Sequence, residues 1–162
     1  MSQTPDVSLD RRMALMLAGG MVFTAMPAAA AVPNPALDSA LKATLDDFTR
    51  RFHARDYAAL DLFDGDDALL VGSAAGEVCL GREPIRAYLA KYYSMSSQVG
   101  FTWSRTLTGA MGNDGAWLWA EGEVALTGGD GKQTTGPFRL ACVFVRRSDA
   151  WRIRLFSGSQ PA

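Results

Sequence analysis

The spacing of apolar residues changes once along this chain, near Phe101, and that change restricts the class of fold open to it. Before it, Leu37, Leu41, Leu45, Phe48 and Phe52 recur at steps of four, four, three and four, which is one face of an α-helix. After it, Phe101-Thr-Trp103-Ser-Arg105-Thr-Leu107-Thr alternates large side chains with small polar ones, as a half-buried strand does. Three more such runs follow, Trp117 to Leu126, Thr135 to Arg147 and Trp151 to Phe156. Asn113-Asp114-Gly115, Gly128-Gly129-Asp130-Gly131 and Ser148-Asp149 supply the turns between them.

The first half is predicted to be helical, with one short strand pair. A helix over 36–54 carries Asp46 and Asp47 four residues before Arg50 and Arg51, an order that supports ion pairs on its exposed side. A short helix over 57–63 and the turn Asp64-Gly65-Asp66-Asp67 lead to a strand over 68–72 and a hairpin-like segment over 77–80. A third helix starts at Arg82-Glu83-Pro84, with Pro in the first turn, and its apolar face is Ile85, Tyr88, Leu89 and Tyr92. Helices first and a meander afterwards predict an α+β fold, three N-terminal helices packed on one face of an antiparallel sheet.

The first thirty residues read differently. Arg11-Arg12 precedes an apolar stretch, Met13 to Met26, that ends in Pro27-Ala28-Ala29-Ala30-Ala31, the charged start, apolar middle and small-residue cleavage site of a secretory signal. The run from Leu9 to Leu15 is of the twin-arginine type, without that signal's usual Phe and Lys. The expectation is a signal peptide over 1–31, cleaved after Ala30 or Ala31, and one domain over 32–162, periplasmic or secreted. An uncleaved membrane anchor is the alternative, but Gly19, Gly20, Thr24 and Pro27 dilute the stretch. No membrane association is expected once the signal is removed.

Several chemistries are excluded by what is missing. With one His, and no close Cys pair, a transition-metal cage has too few ligands, so no metal is expected. Asp61, Asp64, Asp66 and Asp67 lack the alternate spacing and closing Glu of a calcium loop and read as a solvated turn. A net charge of −1 and the lack of a basic stripe argue against a nucleic-acid partner. There is no nucleophile elbow, and Gly128 to Gly131 lacks the Lys-Ser/Thr of a phosphate loop, so no cofactor is expected either. Cys79 and Cys142 are the only cysteines, and after export they could pair or stay free.

Phe52-His53-Ala54-Arg55-Asp56 closes the long first helix; Ala68-Leu69-Leu70-Val71-Gly72-Ser73 and Gly81-Arg82-Glu83-Pro84-Ile85-Arg86 follow, then Gly115-Ala116-Trp117 and Trp151-Arg152-Ile153 at strand starts. In this order the chain resembles the nuclear transport factor 2-like superfamily and, within it, the SnoaL-like group. The resemblance implies a cone-shaped fold with a pocket at its open end and frequent homodimerisation. It also implies a choice among cofactor-independent isomerases, cyclases and dehydratases on one side and binding or assembly modules on the other. The resemblance leads one to expect a His or two on the last strand. The run Leu155-Phe156-Ser157-Gly158-Ser159 has none, which puts borrowed acid–base or metal roles in doubt.

Candidate site residues come from the strands. Trp117, Trp119, Glu121 and Glu123 share one face of their strand, and Phe101, Trp103, Arg105 and Leu107 are read as sharing a face of its neighbour. If those faces line the cone, Trp103, Arg105, Trp119 and Tyr88 bind a small, mostly apolar ligand. Glu121 or Glu123 would then be a general base of raised pKa, with Tyr92 or Arg105 polarising a carbonyl. If they face outward, Glu121 and Glu123 are cross-strand partners of Arg105 or Arg139, and the tryptophans need a dimer to cover them. His53, just beyond the apolar stripe at the helix C-terminus, is read as a surface residue or a proton carrier at the pocket mouth.

Overall fold

The computed structural model describes residues 34–161; the expected signal segment, residues 1–31, lies outside them. Helix α1 spans Pro35–His53, with Asn34 as N-cap accepting a hydrogen bond from the Leu37 amide at 3.0 Å. Pro35 occupies the first turn, where a missing N–H costs nothing. The apolar stripe is buried as its spacing predicts, with Leu41, Leu45 and Phe48 all at 1% exposure or less. The expected second helix is a 3₁₀ turn, Tyr57–Leu62, capped by the Asp56 side chain on the Ala58 amide. The third expected helix is α2, Arg82–Tyr93.

Six strands form one unclosed sheet in the order β2-β1-β6-β5-β4-β3. They are β1 (Leu69–Val71), β2 (Val78–Leu80), β3 (Gln98–Met111), β4 (Gly115–Thr127), β5 (Gln133–Arg147) and β6 (Ala150–Ser159). All neighbours are antiparallel except β1 and β6, which run parallel, so the short N-terminal pair extends the edge of the meander. Both helices pack on the inner face, and Phe48, Phe52, Phe63 and Phe156 meet there with ring centroids 4.9–6.5 Å apart.

Two bulges shape the long strands. One lies between Trp103 and Arg105 in β3, the other between Val143 and Phe144 on the β5–β6 ladder. Opposite the first stands Gly122, where a Cβ would lie 1.9 Å from the Thr102 carbonyl oxygen, so only glycine admits the backbone approach. The bulge also inverts the side-chain alternation. Phe101 and Trp103 pack inward against the core, whereas Arg105 and Leu107 are exposed on the outer face. The expectation that these four share one face fails for that reason.

The acidic turn is held by arginines. Asp64 takes two hydrogen bonds of 2.8 Å from Arg147 and one of 2.7 Å from Arg154, which also reaches Asp67 at 3.0 Å. The Arg147 hydrogen bond, against the opposing effect of burial, leads the set of contacts that keep the Asp64 carboxyl below its usual range. Asp61 pairs with Arg82 at 2.7 Å. The alternative of a Cys79–Cys142 disulfide is excluded by register. Cys79 sits opposite Leu70, Leu70 opposite Phe156 and Phe156 opposite Cys142, so two strands separate the thiols, about 14 Å at the usual strand spacing.

Candidate functional site

Where α1 and α2 leave the sheet, the inner face is not filled, and a cavity of about 210 Å³ remains. Phe48 and Phe52 of α1, Tyr88 and Tyr92 of α2, and Phe101, Val124, Phe138 and Phe156 of the sheet wall it. Small residues leave the room, since a Cβ on Gly158 would come within 2.6 Å of the Phe138 ring. The volume exceeds the roughly 150 Å³ that holds benzene in an engineered apolar core, so one or two fused rings fit. Met95, Leu126, Ser73 and Gln160, all exposed, surround its mouth.

Behind the Gly72 and Tyr92 wall of the cavity lies a buried carboxylate, Glu77, which is not itself part of the lining. This is the only charged residue buried among the described residues, at 8% exposure. Its Oε1 accepts from Lys91 Nζ at 2.9 Å and from the Tyr92 hydroxyl at 3.0 Å, and its Oε2 accepts from the Ala74 amide at 3.1 Å. Gly72 makes the space, because a Cβ there would lie 2.2 Å from Oε2. Burial pushes the Glu77 carboxyl up, but Lys91, the Ala74 amide and Tyr92 more than offset it and hold the group ionised, below the usual carboxylate range. Burial pushes the Tyr88 phenol far up, and the neighbouring Tyr92 hydroxyl adds to the rise. The two rings lie 4.7 Å apart.

The sequence-derived candidates divide between the two faces of the sheet. Tyr88 and Tyr92 line the cavity. Trp103 stands behind its wall, stacked on Phe101 at 5.7 Å and 5° and donating its indole N–H to the Thr49 hydroxyl at 3.2 Å. Glu121, Glu123, Trp119 and Arg105 lie on the outer face, away from the cavity. On β4 it is Ala116, Leu118, Ala120 and Val124 that turn inward, with at most 7% exposure. Glu121 is the loose cross-strand partner of Arg139 at 3.9 Å, both half-exposed, and sits in register with Arg105 on its other side. Arg105 lies over the Trp119 ring at 5.9 Å. His53 borders a separate open groove with Asp46, Thr49 and Arg50.

Sequence reasoning missed Glu77, which read as part of a hairpin segment. A lone carboxylate between Gly76 and Val78 carries no pattern, and its partners come from α2, fourteen and fifteen residues on. Gly122 was a legible signal, because an isolated glycine inside a strand pattern marks a bulge.

The outer face is itself distinctive. Reading across the ladders, Leu80, Leu69, Leu155, Val143 and Trp117 stand in one row, and Val78, Val71, Ser157, Ala141, Trp119 and Leu107 in the next. The Trp117 indole lies over Gly109, where a Cβ would be 2.5 Å from it. Val78, Leu80, Leu107 and Trp117 are 38–65% exposed, so the rows form one apolar belt across the sheet.

Comparison with known proteins places this architecture. A family model described as SnoaL-like domain matches residues 41–162. No curated protein matches the chain. Among solved structures, a proposed dehydratase of the nuclear transport factor 2-like family from Streptomyces avermitilis superposes with a TM-score of 0.72 at 14% identity, covering 80% of this chain and 99% of that one. A proposed aromatic ring hydroxylase from Novosphingobium aromaticivorans gives 0.71 at 17%, covering 81% and 93%. A proposed calcium/calmodulin-dependent protein kinase II association domain from Xanthomonas campestris gives 0.68 at 19%, covering 81% and 94%. These likenesses are to the fold.

Proposed function

The chain belongs to the SnoaL-like domain family, and from that premise we propose that it is an exported domain that holds a small, mostly apolar molecule in the cavity between its helices and its sheet. The observation that carries this reading is the cavity itself, walled by aromatic and aliphatic side chains with one built polar end. Such a composition suits a ligand that is mostly buried and oriented by a few polar contacts.

Binding without chemistry is favoured over catalysis because no carboxylate lines the cavity, and Glu77, behind its Gly72 and Tyr92 wall, is in the wrong state for a base. A general base at neutral pH needs a pKa raised toward 7 and a free lone pair aimed at the substrate. Glu77 is held the other way, and its Oε1 already accepts from Lys91 and Tyr92. The two carboxylates that the sequence offers as bases, Glu121 and Glu123, do not line the cavity either.

A second reading, compatible with the first, concerns the outer face. The apolar belt ending in Trp117 and Trp119 supports a homodimer in which two sheets meet back to back. A self-complementary patch of this kind closes as a two-fold pair.

Native mass spectrometry of the protein, purified gently from the compartment to which it is exported, tests the ligand reading. The expected spectrum shows a reproducible small mass on the folded chain that disappears on denaturation. A bare chain in every preparation would count against a carried ligand.

A further inference from the structure

The cavity lining holds few polar groups, and most of them have nothing left to give a ligand. Ser73 and Gln160 are exposed at the mouth, where water satisfies them. The Gly72 amide donates to the Glu77 carbonyl oxygen at 2.7 Å, and Gly158 stands in the β5–β6 ladder opposite Leu140. The Tyr92 hydroxyl gives its one proton to the Glu77 carboxylate at 3.0 Å. Tyr88 differs from all of these. Its hydroxyl makes no hydrogen bond to any described residue, Tyr92 included, although the two rings lie 4.7 Å apart. Yet no buried side-chain nitrogen or oxygen among the described residues lacks a partner. The Tyr88 oxygen therefore borders open space, and the cavity is the space that its side chain lines.

The donor is also fixed in place. Ile85 and Leu89, on the same face of α2, are fully buried and hold the turn that carries Tyr88 against the core. Burial pushes the Tyr88 phenol far up, so the proton stays on its oxygen across the neutral range.

We propose that the Tyr88 hydroxyl is the hydrogen-bond donor of this cavity, so that its ligand is a one- or two-ring apolar molecule carrying a carbonyl or a comparable acceptor on the side that meets α2. This rests on the reading that the cavity binds a ligand. It moves to Tyr88 the role that the sequence offers to Tyr92, whose proton is engaged by Glu77. A wholly apolar ligand that displaces water from the site leaves the Tyr88 proton unpaired, and that is costly. A ligand bringing only an N–H meets lone pairs on both phenols and leaves the same proton unpaired.

The probes are α-tetralone and tetralin, which have nearly the same shape and differ in a carbonyl against a methylene. Each is titrated by calorimetry into the purified protein and into Tyr88→Phe, which keeps the ring on the wall and removes the hydroxyl alone. Tetralin is the less polar of the two, so the hydrophobic effect by itself favours it in both proteins. The expected result is that Tyr88→Phe costs α-tetralone at least about fivefold more affinity than tetralin, the worth of one ordinary buried hydrogen bond. In Tyr92→Phe the ratio of the two affinities should stay as it is in the unmodified protein, because the proton removed there faces Glu77.

Should Tyr88→Phe not fold, the infrared carbonyl stretch of α-tetralone bound to the unmodified protein still decides. It is expected below its position in hexane, and a stretch at the hexane position overturns the proposal. An affinity ratio unchanged in Tyr88→Phe overturns it while leaving the cavity reading intact, and so does a ratio that falls equally in Tyr92→Phe. Saturable binding of neither probe overturns the cavity reading, and this proposal with it.

Discussion

Phe48→Ala should cost the fold about 3–5 kcal/mol, a large share of the whole stability of a domain this size. Phe48 is 1% exposed at the middle of the α1 stripe. It meets the rings of Phe52, Phe63 and Phe156 at 5.7, 5.9 and 4.9 Å, so it joins the long helix, the 3₁₀ segment and the last strand in one contact. Removing the ring takes away its burial and leaves a void that opens into the existing cavity. Urea unfolding followed by circular dichroism measures the loss. A cost below about 1 kcal/mol, the range of ordinary surface changes and mild core swaps, would mean that α1 is not seated on the sheet as described.

Trp119→Glu should convert the proposed back-to-back dimer to monomers. Trp119 lies in the outer row between Ala141 and Leu107, flanked on the next row by Glu121. In a back-to-back pair the new carboxylate would be taken out of water beside Arg105 and Glu121, and the change would remove the indole from the apolar belt, which costs several kcal/mol per interface. Association weakened a hundredfold or more in protomer affinity is the expected scale, and sedimentation equilibrium reads it directly. The cavity lies on the other face of the sheet, so ligand binding should survive in the monomer. An unchanged dimer would rule out this face as the interface.

What the sequence disclosed and what it hid follow from the range of the interactions involved. The α1 stripe from Leu37 to Phe52 was legible because its signal is local, a repeat of three and four that only a helix satisfies. The strands from Phe101 onward were legible for the same reason, with a repeat of two. Which face of β4 turns inward was not. Trp117, Trp119, Glu121 and Glu123 alternate with Leu118, Ala120, Gly122 and Val124, and either set fits a sheet that is covered on both sides.

The answer is set by the helices, whose close seat on the inner face takes the smaller side chains Ala116 and Ala120. On β3 the bulge beside Ser104 broke the alternation, and Arg105 left the face of Trp103. Tyr88 and Tyr92 were found because they share a helical face. Glu77 was hidden because its partners lie on α2 and in the turn before β2, and only the folded chain brings them to one carboxylate.

The parallel pairing of β1 with β6 belongs with the hidden part. Three residues of β1 cannot announce a partner nearly ninety positions away, Leu70 on Phe156. Yet this pairing sets Leu70 and Phe156 side by side on the cavity wall. It also carries Leu69 and Val71 into the outer apolar belt. One short strand thus contributes to both candidate surfaces.

The central claim is that the aromatic cavity takes up a small apolar molecule, and titration with naphthalene tests it most directly. Val124→Trp serves as the comparison, since Val124 lines the cavity at 7% exposure and an indole there would fill it. The account predicts saturable binding at one molecule per chain in the unmodified protein, followed through quenching of tryptophan fluorescence, and no saturable binding in the folded variant measured by calorimetry. Binding that does not saturate, or that is equal in the two proteins, would contradict it.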